Sequence, residues 1–199
     1  MNYIKLSIVL FAACLSACAS LDHVEQYDYR FDHESGRFPP VRLYVNREQV
    51  MGPALAGMVN ALYKEIRATG AFHGSSAFAE TPWVIDIQLG WLAGNAAGSF
   101  IGMMASAATL GVLPSKHDQI YVAEVSVYQA GMLLEAFKIE EQSSMVMSVY
   151  NYAETVSGEA HQMAMKNIAL RLVERLDKTG MLPRIQAPGE EPDPDFIRT

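Results

Sequence analysis

The segment 119-QIYVAEVSVYQAGMLLEAFKIE-140 reads as a β-hairpin. Tyr121, Ala123, Val125 and Val127 alternate with Val122, Glu124, Ser126 and Tyr128, so they share one face of a strand. Ala130-Gly131 supplies a tight turn, because glycine adopts positive φ without steric cost. Met132 to Glu140 then reads as the returning strand of a hairpin. Two strands cannot fold alone in water, so the rest of the sheet lies elsewhere in the chain.

Working outward, Trp83 to Leu89 is a further strand, with Val84, Asp86 and Gln88 opposite Trp83, Ile85, Ile87 and Leu89. Val41, Leu43 and Val45 mark another, after Pro39-Pro40 blocks any helix. Residues 53 to 69 read as a helix. Pro53 suits its first turn, and Leu55, Met58, Leu62 and Ile66 form an apolar stripe. Ala153 to Thr179 reads as a second helix, striped by Met165, Ile168, Leu172 and Leu176 and ended by Gly180 and Pro183. The expected order is β-α-β-(apolar Gly-rich insert)-β-β-α. It implies an α+β domain over 39–183, with two amphipathic helices on one face of a mainly antiparallel sheet. This order is similar in outline to the TolB amino-terminal domain. The run Thr109 to Pro114, followed by a strand and the turn Gly131, is also similar to a group of uncharacterised proteobacterial lipoproteins.

Composition bounds what such a domain does. The chain has 199 residues, 50% of them hydrophobic, and a net charge of −7. That suits one domain and excludes a mainly disordered protein. The acidic balance excludes a basic nucleic-acid-binding surface. Two cysteines exclude a disulfide scaffold.

Residues 87 to 115 carry no charged side chain. Within them glycine recurs every fourth position at Gly90, Gly94, Gly98 and Gly102. On a helix, Gly94, Gly98 and Gly102 line a smooth groove, which resembles a glycine zipper. Phe100, Ile101 and Met104 supply apolar bulk beside it. Three readings of the 89–115 insert stay open. A transmembrane helix has the length but would part the strands on either side of a membrane. A surface element could contact a membrane, a second copy or a protein partner. A buried crossover would use the glycines for close packing.

The N-terminus reads as an address. Lys5 precedes the apolar run Ile8 to Leu15, of signal-peptide length. Leu15-Ser16-Ala17-Cys18 follows and resembles the lipobox of bacterial lipoproteins. The resemblance implies cleavage after residue 17, diacylglycerol on the Cys18 thiol and an acyl chain such as palmitate on its new amine. Several chains make a stable anchor. Ala19, rather than Asp, after the cysteine resembles the sorting signal for the outer membrane, in its periplasmic leaflet. Residues 18 to 38 are then expected to be the lipidated cysteine and a flexible acidic tether reaching about 60 Å. Residues 184 to 199, rich in proline and acid, read as a disordered tail.

No catalytic constellation emerges. There is no G-x-S-x-G and no H-E-x-x-H. The five histidines are scattered. Asp86 shares a strand face with Gln88 and reads as sheet polarity. Glu140 and Glu141 point to opposite faces and cannot act together. The expectation is a lipoprotein of the Gram-negative envelope, held by its lipid in the outer membrane. It is neither an enzyme nor a metal or cofactor protein, and it uses the insert for membrane, self or envelope-partner contact. The alternative is a binding module for an apolar envelope ligand, a lipid or a peptidoglycan-linked component.

Overall fold

The alternating residues do form strands, and the apolar stripes do form helices, in a computed structural model that describes residues 26–47, 52–94, 104, 115–147 and 153–186. In chain order these are β1 (Val41–Val45), α1 (Pro53–Ala68), β2 (Ser75–Ser76), β3 (Trp83–Ala93), β4 (Ser115–Gln129), β5 (Met132–Met147) and α2 (Ala153–Thr179). The strands make one five-stranded sheet in the order β2-β1-β3-β4-β5. The class is α+β, with a mixed sheet.

The mixture refines the expectation of a mainly antiparallel sheet, because the short β1 ladders are parallel. β1 runs parallel to both β2 and β3, with Leu43 opposite Ile85 and Val45 opposite Ile87. The physical reason is the helix between them: a crossover returns the chain to the end it started from, so the next strand runs the same way. β2 was not expected, since two serines have no hydrophobic period. β3 and β4 are antiparallel. The Gly94 N–H donates to the Asp118 carbonyl at 2.8 Å, and the Ala130 N–H donates to the Pro82 carbonyl at 2.8 Å, so rising numbers on one strand meet falling numbers on the other. The two-residue turn makes β4 and β5 antiparallel as well. Ala130 (φ 50) and Gly131 (φ 84) both take the left-handed conformation that such a turn requires.

The described residues divide into two compact units. The larger comprises the described parts of Tyr27–Gly90, Val122–Glu140 and Met165–Thr199. Its core joins Leu43, Ile85 and Ile87 of the sheet, Leu62 and Ile66 of α1, and Met165, Ile168, Leu172 and Leu176 of α2, all buried. The smaller comprises Gln26 and the described parts of Trp91–Tyr121 and Glu141–Ala164. There Tyr121, Ala160 and Ala164 are buried, and the Tyr121 ring meets His161 edge-on at 5.5 Å.

Candidate functional site

Of the residues singled out in the sequence, Cys18, Gly98, Phe100, Ile101 and Gly102 lie outside the described residues. Gly94 is described, and it sits at the end of the β3–β4 ladder. A Cβ there would come within 3.0 Å of the Asp118 Cβ and 3.3 Å of its backbone carbonyl. Close approach of two strands accounts for this glycine without a helical groove. Met104 is helical and 57% exposed. β3 also extends to Ala93, further than expected, and takes Gly90 and Trp91 into the sheet. Trp83 is buried, whereas Trp91 and Leu92 are 45% and 60% exposed.

The supposed tether is packed from Tyr27 onward, a second correction. Tyr27, Tyr29 and Phe31 alternate with exposed Asp28, Arg30 and Asp32; the two tyrosines bond to α2, and the Phe31 ring lies 5.1 Å from that of Phe38. The Tyr27 N–H donates to Asn167 Oδ1 at 3.1 Å, and its hydroxyl donates to Glu174. The Tyr29 hydroxyl donates to Asp177 at 2.6 Å. Arg184, assigned from sequence to a disordered tail, closes the strap. Its guanidinium donates to the carbonyls of Asp32 (3.1 Å) and Gly36 (2.8 Å), pairs with Asp177, and lies over the Phe31 ring at 3.9 Å. Ile185 pairs with Arg37 as an antiparallel bridge. The signal that would have found the strap is the period-two alternation at 27–32 itself, a short strand-like pattern between charges.

Electrostatics follow from this packing. The hydrogen bond from Tyr27 holds the Glu174 carboxyl below its ordinary range, with Lys178 assisting. Burial, and then the bond to Asp177, holds the Tyr29 hydroxyl well above its ordinary value. Because the folded state prefers protonated Tyr29, that stabilisation is complete below the unfolded value of about 10 and is lost as pH rises through and beyond it. Urea midpoints of the natural protein are expected to fall between pH 9 and about 11. Tyr29→Phe, which has no proton to lose, should fall less steeply.

A second feature of the larger unit is a cleft of about 410 Å³ beside β5. Phe137, Lys138, Ile139 and Glu140 form one wall, and Arg171, Glu174, Arg175 and Lys178 of α2 form the other. Consecutive residues of both faces line it, so the strand's edge itself borders the space. Its charges are paired. Lys138 meets Glu140 at 2.6 Å, Lys178 meets Glu174 at 2.9 Å, and Arg175 meets Glu135 at 2.5 Å. Arg171 lies over the Tyr27 ring at 4.1 Å.

Other candidates for chemistry resolve into structure. Asp86 is buried, pairs with Arg47 at 3.0 Å, and accepts from Gln88 at 3.4 Å. Glu140 is exposed and Glu141 buried, as alternation requires. Among the described residues, no group of three or more His, Cys, Asp or Glu is arranged to hold a metal ion, and no helix is long and apolar enough to cross a membrane.

No protein-family model and no curated protein matches the chain. Solved structures similar to it include a minor lipoprotein from Acinetobacter baumannii. That likeness has 9% identity and a TM-score of 0.42, over 74% of this chain and 97% of that one. The rare lipoprotein B from Shewanella oneidensis is similar at 14% identity and a TM-score of 0.36, over 71% and 92%. Lipoprotein B from Nitrosomonas europaea is similar at 10% identity and a TM-score of 0.40, over 78% and 93%. Likeness at this level transfers no role.

Proposed function

We propose that this protein is a non-catalytic lipoprotein of the Gram-negative envelope. It is anchored in the outer membrane through lipid on Cys18 and makes apolar contact with the membrane surface through the 89–115 segment. The anchor rests on the lipobox-like Leu15-Ser16-Ala17-Cys18. One observation carries the contact role: Trp91, Leu92 and Met104, large apolar side chains of a charge-free segment, are all exposed. Tryptophan and leucine beside uncharged chain suit the interface between headgroups and acyl chains. The packed strap sharpens the picture. Only residues 19–26 separate Cys18 from Tyr27, and eight residues of chain span at most about 26 Å. The folded residues are therefore held near the lipid surface, where even weak apolar contact is favoured.

The test is flotation of the unlipidated chain, residues 19–199, with phospholipid vesicles, beside the Trp91→Ser/Leu92→Ser variant. Withdrawing two large apolar side chains from the interface should lower the bound fraction about tenfold or more. Equal flotation of both, or of neither, would remove the contact role. A bound lipid or glycan that copurifies instead would favour a pocket for an apolar ligand.

A further inference from the structure

The two edges of the sheet are unlike. β2 closes one edge with two residues, too short to template another strand. β5 forms the other edge and runs for sixteen residues. At its start Met132, Leu133 and Leu134 are all exposed. A long outer strand offers its backbone N–H and C=O groups to an incoming strand. Here the edge borders the cleft beneath the side of α2, which leaves room for the side chains of such a strand.

We propose that β5 is a self-association surface on which a second copy of this chain pairs its own β5 in antiparallel register centred on Ile139. On the exposed face, charge complementarity selects both the occupant and the register. Antiparallel strands related by a twofold axis place residues opposite each other about the central residue, on the same face. Centring on Ile139 sets Lys138 of each copy against Glu140 of the other, two reciprocal ion pairs on the exposed face. Centring on Lys138 would oppose two lysines. Centring on Ala136 or Phe137 would set Lys138 or Glu140 against apolar or small residues. In the chosen register Ile139 of one copy meets Ile139 of the other on the inner face, and the incoming strand occupies the cleft. The Lys138–Glu140 pair within each chain at 2.6 Å becomes part of a four-charge cluster across the interface.

The experiment traps the pairing by disulfide formation in full-length chains within membranes. Lys138→Cys and Glu140→Cys are both exposed changes that leave the core untouched. Coexpressed, they should give a covalent dimer, while neither variant alone should, since neither position faces itself. The unsubstituted chain is the control for any unmodified Cys18. A dimer in that control would count against lipidation and not against the β5 pairing. In a second arm, sedimentation of the detergent-solubilised full-length chain should show Lys138→Glu weakening self-association at least tenfold. The swapped Lys138→Glu/Glu140→Lys chain should recover it to within about threefold. Absence of a mixed disulfide above the level of the unsubstituted control, equal dimer from the single variants beyond that control, or indifference of association to Lys138→Glu would overturn the proposal.

Discussion

Arg184→Ala is expected to release the N-terminal strap and lower stability by about 3 kcal/mol, equivalent to a fall of roughly 6–12 °C in melting temperature. The guanidinium donates to two backbone carbonyls, Asp32 and Gly36, pairs with Asp177, and covers Phe31. Hydrogen bonds made by a charged donor contribute about 1.5–3 kcal/mol each, and partial exposure of Arg184 brings the sum toward the lower end. Stacking over the Phe31 ring adds about 0.5–1 kcal/mol. Lysine should not rescue the loss, because it lacks the planar fork that reaches two carbonyls and a carboxylate together. The check is a thermal melt combined with limited proteolysis. Cleavage between Tyr27 and Phe38 should appear in Arg184→Ala before global unfolding. A melt unchanged from the natural protein would mean that residue 184 belongs to a loose tail after all.

Asn46→Ala is expected to cost about 3–5 kcal/mol, chiefly by leaving buried backbone groups unpaired. Asn46 is 1% exposed and sits just past β1 with φ at 50. Its side chain extends the sheet after the backbone has turned away. Nδ2 donates to the Leu89 carbonyl at 2.8 Å, and Oδ1 accepts from the Leu89 N–H at 2.6 Å. Its own N–H donates to the Ile87 carbonyl at 2.9 Å. Alanine would strand both Leu89 groups and strain at a positive φ, where asparagine is tolerated. Asn46→Gly separates the two causes. It keeps the backbone at ease and loses only the hydrogen bonds, so its cost should be about 1 kcal/mol smaller. Urea denaturation of the three proteins measures the difference.

Neither residue stood out in the sequence, for definite reasons. Side-chain alternation at Leu43 and Val45, at Ile85 and Ile87, and at Tyr121 to Val127 reports which residues share a buried face, and those residues are buried. The helical stripes at Leu55, Met58, Leu62 and Ile66 and at Met165 to Leu176 report burial nearly as well, with Leu55 half-buried. Periodicity says nothing about which strand lies beside which. The parallel pairing of β1 with β3 therefore depends on the crossover helix, and it escaped a reading built on the 119–140 hairpin. Polar residues that do backbone work are harder still. Asn46 looks like the end of a strand, and Arg184 follows Pro183 at the start of an acidic, proline-rich run. Their importance lies in contacts with residues distant in the chain. At Gly94 a four-residue glycine period fits a helix groove, while the same residue type also serves where two strands approach closely.

The anchor depends on Cys18, and one measurement addresses it directly: the mass of the N-terminal peptide of the protein purified from membranes. The expected peptide begins at Cys18 and carries a diacylglyceryl group on sulfur and an acyl chain on the amine. A peptide beginning at Ala19 or later, or one containing an unmodified Cys18, would contradict the lipid anchor. It would also remove the anchor that holds the folded residues near a membrane.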